Sequence, residues 1–317
     1  MPQAISVSRR TDIPAFYSDW FINRLKAGTV HVQQPYTNRL IRVSLDPEDV
    51  NAIIFWSKDY APLLQKLEVI EKTTKNLFFH FTITANRELE SDTPDYRDAI
   101  ADYMFIARRY SPERIIWRYD PICITRTLSF EIHEERFIQC ADLLKGYAQK
   151  CTISFVHPYK KVLGNLRKKT GHALVDLSVD QKREYARRLA EISEPYGIQI
   201  SACCNDYLLS EKIKKASCID GRYLTEVLKA PTDMRRAATR KECACTRSVD
   251  IGAYNTCAHG CVYCYANDDE DGSRLAQQLH NPEWNALSMN VLEADAEGRE
   301  MQELFFPGRI DAKLERG

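Results

Sequence analysis

Apolar and polar positions alternate with period two in six short runs, at residues 4–8, 51–56, 77–84, 114–119, 151–156 and 198–203. Between them the apolar spacing becomes helical, most clearly at 18–27, 61–72, 95–110, 132–148 and 181–196. Ser18 suits an N-cap for the first of these helices, and Gly28 suits a left-handed stop after it. Two further β-like runs, 29–33 and 40–45, flank Asn38 and predict an inserted hairpin. Strands alternating with helices predict an α/β fold around a parallel sheet.

The two faces of the runs differ. Phe79, Phe81 and Ile83 oppose His80, Thr82 and Thr84, while Ile5 and Val7 oppose Ser6 and Ser8. Trp117 and Tyr119 oppose Arg118 and Asp120, and Ile153 and Phe155 oppose Thr152 and Ser154. A doubly wound sheet, covered by helices on both sides, should be apolar on both. One consistently polar side instead predicts a curved sheet around a polar lumen. With six strands, the expectation is a partial (β/α)6 TIM-like barrel, and an antiparallel-type sheet with one wet face is the alternative. The expected division is a barrel at 1–225, a cysteine-rich segment at 226–270 and a tail at 271–317, the last reading as a wrapping or flexible stretch.

The 317 residues suffice for such a core, and 44% apolar with 28% charged residues is a globular composition. Forty-four basic residues balance 44 acidic ones, so no global field draws the chain to nucleic acid or to membranes. No apolar run reaches membrane-spanning length and the first residues have no signal-peptide core, so a cytoplasmic location is expected. Arg235, Arg236, Arg240 and Lys241 form a local basic patch, which a nucleic-acid partner could use or a solvated face could explain.

In a parallel barrel the chemistry gathers where strands end. Those positions are Ser8 to Asp12, Trp56 to Lys58, Thr82 and Thr84, Arg118 and Asp120, His157, and Cys203 to Asn205. Arg9, Arg10, Lys58 and Arg118 could concentrate positive charge against a carboxylate or phosphate, with Asp12 and Asp120 either orienting the arginines or accepting hydrogen bonds from a ribose. Arg118, Asp120, Lys58 and Arg10 are the candidate catalytic groups, and Ser8, Arg9, Thr82, Thr84, Ser154 and Tyr263 the candidate cofactor contacts.

Eight of the eleven cysteines lie between 203 and 264, and Cys123, Cys140 and Cys151 read as inert core thiols. Cys257, Cys261 and Cys264 form C-x3-C-x2-C, which lacks the paired knuckles of structural zinc and suits three corners of an iron–sulfur cube. One iron would remain open to a small molecule. Tyr263 and Tyr265 could shield the centre from water, and His259 reads as a solvated loop residue. Cys203, Cys218, Cys243 and Cys245 could close a second iron–sulfur cluster or a zinc site, with Cys204 making the ligand choice ambiguous.

C-x3-C-x2-C with an aromatic before its last cysteine resembles the radical S-adenosylmethionine signature, and the stretch 254–266 is similar to its spore photoproduct lyase branch. The chain to about residue 290 resembles the domain-of-unknown-function family 1848, through Ser6 to Tyr17, Phe55 to Lys58, Trp117 to Pro121, Cys218 to Gly221 and Ser248 to Tyr254. The first resemblance implies a six-stranded partial barrel, a [4Fe–4S] cluster on Cys257, Cys261 and Cys264, and S-adenosylmethionine on the open iron. It also implies an electron donor such as flavodoxin or ferredoxin and a small-molecule substrate of unknown identity. In that family the cysteines follow the first strand, whereas here Ser8-Arg9-Arg10-Thr11-Asp12 stands there. The cysteine-rich segment is therefore expected to fold back over the barrel mouth, as in a circular permutation. Two other readings compete: a non-catalytic iron–sulfur or zinc-binding barrel protein acting as a sensor or binding module, and a barrel hydrolase or lyase using Arg118, Asp120 and His157.

Overall fold

The computed structural model describes residues 2–35, 37–291 and the two-residue strand Glu303–Leu304. In chain order the strands are β1 Gln3–Val7, β2 Thr29–Gln33, β3 Leu40–Ser44, β4 Val50–Ser57, β5 Leu77–Thr82 and β6 Ile115–Ile122, then β7 Lys150–Phe155, β8 Gln199–Ala202, β9 Ile213–Lys215, β10 Val249–Asp250, β11 Asn290–Val291 and β12 Glu303–Leu304. The helices are α1 Ile13–Phe16, α2 Ser18–Ala27, α3 Ala61–Leu64, α4 Leu67–Glu71 and α5 Tyr96–Tyr110, then α6 Phe130–Leu144, α7 Lys160–Thr170, α8 Val179–Ser193, α9 Gly221–Leu228 and α10 Glu270–Gln278.

Eight strands build one parallel sheet in the order β10-β1-β4-β5-β6-β7-β8-β9, and the sheet is open. All six runs read from alternation lie in it. The expected strand count is corrected to eight, because β9 and β10 are too short, at three and two residues, to display a period. The hairpin forms as an antiparallel pair, β2 with β3. Helix α2 has its predicted bounds, and Gly28 stops it at φ 67°. Its N-cap position is Tyr17, however, and the Ser18 hydroxyl instead accepts from Lys66 Nζ at 2.9 Å. The single helix expected at 61–72 divides into α3 and α4.

The main core fills the space between the sheet and its helices. Phe55, Phe79, Phe81, Trp117 and Tyr119 point from the strands, and Trp20, Leu67, Tyr103, Phe137 and Leu189 meet them from the helices. Trp117 stacks on Phe137 at 4.8 Å between ring centres, each ring fully buried. Full burial of one such side chain contributes roughly 2 kcal/mol or more.

The opposite face is not polar along its whole length, which corrects the expected lumen. Near the strand starts, Ala4, Ala52, Ile54, Phe78 and Ile116 form an apolar layer covered by Ile219, Leu224, Leu228, Cys243 and Cys245. A parallel sheet needs cover on both faces, and here α9 with the cysteine-bearing segments supplies it. Only farther along the strands does the face turn polar, with buried Ser6, His80, Arg118, Thr152 and Ser154. Alternation alone could not separate these levels.

After Asp268 the chain is ordered as far as it is described. Asp269 caps α10 by accepting from Gly272 N. Residues 280–284 then run along α2, where the Trp20 indole donates to Trp284 O at 2.8 Å and His280 meets the Tyr17 ring edge-on at 4.7 Å, and Asn285 and Ala286 pass beside His31 of β2. Of the remainder of the expected tail, only β12 is described, paired antiparallel with β11. No helix among the described residues is long and apolar enough to cross a membrane.

Candidate functional site

Strand β10 pairs in parallel with β1 through Ile5–Val249 and Ser6–Asp250. Residues 251–266 therefore leave the sheet edge at the end where β1 also runs out. Asp250 fixes the junction. Its carboxylate accepts from the Ser6 and Ser8 hydroxyls at 2.6 Å each, from Arg9 N at 2.8 Å and from Arg10 Nε at 3.1 Å. Burial opposes its charge, but Arg10 and Arg9 outweigh it and hold its pKa below the usual carboxylate range. Asp250 thus pairs with Arg9 and Arg10, and Asp12, one of two carboxylates that could have oriented the arginines, pairs with neither of them. Sequence reasoning missed Asp250, since its role depends on a crossover of some 240 residues.

Asp12 performs a different task. It accepts from Ala15 N at 3.0 Å, Ser57 Oγ at 2.7 Å and Lys58 N at 2.8 Å, joining the ends of β1 and β4. His259 Nε2 approaches the same carboxylate at 2.7 Å, and the histidine is 3% exposed, so the expectation of a solvated residue is corrected. His259 Nδ1 lies 3.2 Å from Asp92 O.

The C-x3-C-x2-C loop is held along its length. Tyr17 donates to Thr256 O at 2.5 Å, Val262 N to Leu89 O at 2.9 Å, and the Tyr265 hydroxyl to Arg9 O at 2.6 Å. Asn267 Nδ2 donates to Cys257 O at 2.6 Å. Val262 enters an apolar cluster with Leu89, Cys123, Val162 and Leu166. Cys257, Cys261 and Cys264 are half-buried and within electrostatic range of one another. Burial raises the pKa of Cys257, with Asp12 adding to it. Burial likewise raises that of Cys261, against the pull of Lys58.

Lys58 links this loop to the strand ends. Its ammonium lies 3.0 Å from Glu90 Oε2 and donates to the Tyr263 hydroxyl at 3.0 Å. Tyr263 also donates to Glu90, which accepts from Thr84 Oγ1 at 2.6 Å. Burial lowers the Lys58 pKa, but Glu90 and then Cys261 reverse this, and the ammonium is stabilised. Glu90 was missed because it lies in an irregular loop. Thr82, Thr84 and Lys58 border a small cavity of about 50 Å³.

Arg118, Asp120 and Ser154 form a second buried group, in which Asp120 accepts from both neighbours. Arg118 Nη1 also donates to Cys218 Sγ at 3.3 Å. Its neighbour His80 stacks on Trp56 at 4.8 Å, and its Nε2 lies 2.7 Å from Cys218 O. Burial, with Arg118 adding, lowers the His80 pKa to about 4. His157 instead lies against Tyr159 at 4.3 Å between ring centres.

Cys203, Cys204, Cys218, Cys243 and Cys245 gather beside Arg118, with Cys203 Sγ 3.6 Å from Cys218 Sγ. Two members of the basic patch at 235–241 are committed: Arg235 pairs with Asp233, and Arg236 donates to Cys243 O at 3.0 Å. Cys123, Cys140 and Cys151 are fully buried, and burial pushes the first two up to about 12, as inert thiols require. Among the described residues, no three or more cysteine, histidine or acidic side chains are placed together so as to hold a metal ion.

Residues 4–266 match the family described as Domain of unknown function (DUF1848). The chain belongs to that family. No curated protein and no solved structure shows significant similarity to it. The matched span of this DUF1848 chain ends with the C-x3-C-x2-C loop, so it includes both cysteine groups and every strand of the main sheet.

Proposed function

We propose that this protein is an iron–sulfur enzyme of the radical S-adenosylmethionine type, with Cys257, Cys261 and Cys264 holding a [4Fe–4S] cluster. The observation that carries the reading is the parallel pairing of β10 with β1. It sends the C-x3-C-x2-C loop out at the strand ends that also carry Ser8, Lys58 and Asp120, without requiring the cysteines to follow the first strand of the chain. The donor chemistry fits the group: three thiols in one loop, anchored on both sides, with a fourth iron left for a small-molecule chelate.

Bound there, the cluster and S-adenosylmethionine would supply one-electron chemistry that starts with cleavage of the sulfonium and leads to hydrogen abstraction. The chain's own groups would bind and orient. Lys58, stabilised as an ammonium, and the Arg9–Arg10 pair would attract a carboxylate or phosphate. Tyr263 and Val262 would keep water from the cysteines, as dry surroundings tune such centres. Arg118, Asp120 and Ser154 would present polar groups to a substrate lying deeper in the sheet. Thr82 and Thr84 would offer hydroxyls to a ribose.

Anaerobic purification with iron and sulfide analysis tests the reading. About four iron and four sulfide per chain are expected, lost on replacement of Cys261 by serine. Addition of S-adenosylmethionine should alter the electron paramagnetic resonance of the reduced protein and yield 5′-deoxyadenosine. A cluster that ignores S-adenosylmethionine would favour a non-catalytic iron–sulfur protein. Iron without sulfide would remove the cluster altogether.

A further inference from the structure

Outside the triplet, five thiols gather in one region of the fold. Cys204 Sγ lies 3.9 Å from Cys203 Sγ, which lies 3.6 Å from Cys218 Sγ. Cys243 and Cys245 pack in the same buried cluster as Cys204 and Cys218. They come from three distant places: the end of β8, the loop between β9 and α9, and the segment leading to β10. Cys203, Cys243 and Cys245 are buried, Cys218 is half-buried, and all are free thiols.

Packing as small apolar groups accounts for part of this, since Cys243 and Cys245 lie against Ile219 and Leu224. It does not account for the cations. Arg118, 7% exposed, aims Nη1 at Cys218 Sγ, and Arg9 acts on both Cys218 and Cys245. The exposed Arg240 acts electrostatically on Cys204 and Cys203. Asp120 and Asp250 pair with Arg118 and Arg9, and thiolates on a metal would add negative charge where these groups also face sulfur. Four thiolates around one divalent ion carry two net negative charges, which the neighbouring arginines would offset.

We infer that Cys203, Cys218, Cys243 and Cys245 bind a single soft divalent ion of the zinc class, with Cys204 beside them. The sulfur spacing favours one ion over a cube: zinc at about 2.3 Å from each thiolate sets tetrahedral sulfurs about 3.8 Å apart, close to the 3.6 Å between Cys203 and Cys218. A cube places its thiolates on separate irons and so holds them farther apart. Cys243 and Cys245 share a packed cluster with Cys218, and side-chain rotation there would bring their sulfurs to the ion. Binding would fasten the segment that delivers β10 to the sheet edge. The site is independent of the triplet reading.

The test uses the full-length chain with Cys257, Cys261 and Cys264 all replaced by serine. Elemental analysis should give about one zinc per chain without acid-labile sulfide. Adding Cys218→Ser or Cys245→Ser should lower zinc occupancy roughly tenfold or more, whereas Cys123→Ser should leave it unchanged. Because a serine variant could fail to fold, cobalt exchange into the triplet-free chain gives a second readout. Strong thiolate-to-cobalt charge transfer with intense tetrahedral d–d bands is expected. No zinc in the triplet-free chain, iron with sulfide in it, or weak octahedral cobalt bands would each overturn the inference.

Discussion

His259 Nε2 lies 2.7 Å from Asp12 Oδ2, and both side chains are buried. The contact fastens the C-x3-C-x2-C loop to the carboxylate that already joins the ends of β1 and β4. His259→Ala should therefore loosen the loop while leaving the sheet intact, since Asp12 keeps Ser57 and Lys58 N. Loss of a buried partner of this kind costs about 1–3 kcal/mol. Hydrogen exchange should accelerate across residues 254–266 and not in β4 or β5. Exchange that accelerates everywhere equally, or nowhere, would contradict this role.

Gly252 approaches Ser8 so closely that a Cβ there would stand 2.0 Å from Ser8 Oγ and 2.6 Å from its Cβ. Ser8 cannot simply rotate aside, because its hydroxyl donates to Asp250 Oδ1 at 2.6 Å. Gly252→Ala should consequently displace β10 from β1 and cost about 1–3 kcal/mol, the usual range for overpacking. The effect should couple to Asp250. In Asp250→Asn, where the serine is held less firmly, the added alanine should cost measurably less by urea denaturation. Additive losses would mean that the two sites do not communicate.

Lys58 and Glu90 form a buried pair, with side chains 13% and 5% exposed. Lys58→Met removes the cation and leaves a buried carboxylate supported only by Thr84 and Tyr263, which should cost on the order of 3–5 kcal/mol. Adding Glu90→Gln removes the stranded charge, so the double variant should recover much of that loss. A double variant no more stable than Lys58→Met would show that the pair's charge is not the relevant feature.

How much of this was legible beforehand depends on distance along the chain. The six longer strands, the hairpin and α2 announced themselves because their periods are local and their faces uniform. The triplet was legible for the same reason, since Cys257, Cys261 and Cys264 lie within one loop. Asp250, His259 and Glu90 were not. Their partners lie as far as Ser6, Asp12 and Tyr263, and nothing in the local pattern of Val249-Asp250-Ile251 marks a strand that closes a sheet edge. The lumen was half legible: alternation identified the polar residues His80 and Arg118, but not that Phe78 and Ile116, on the same face, would be covered by α9 and the cysteine-bearing segments.

His133 gives a pH dependence separate from either cysteine group. The ring is fully buried, with Nδ1 3.0 Å from the Tyr119 hydroxyl and Nε2 3.1 Å from Cys123 O. Burial lowers its pKa to about 4; Cys123 O, Glu88 and Glu90 act in the opposite direction, and Arg136 acts with burial. The unfolded chain binds a proton at this residue near pH 6.5, before the folded chain does. Stability is thus fully present above about 6.5 and falls as the pH drops toward 4, by on the order of 3 kcal/mol in total from this one group. His80 and His280, also lowered to about 4 by burial, steepen the slope in the same direction. His133→Gln removes one titrating ring, so its urea-unfolding free energy should fall less steeply than that of the parent between pH 6 and 5, by about 1.4 kcal/mol per pH unit. Identical slopes for parent and variant would show that His133 takes up its proton in the folded chain as readily as in the unfolded one.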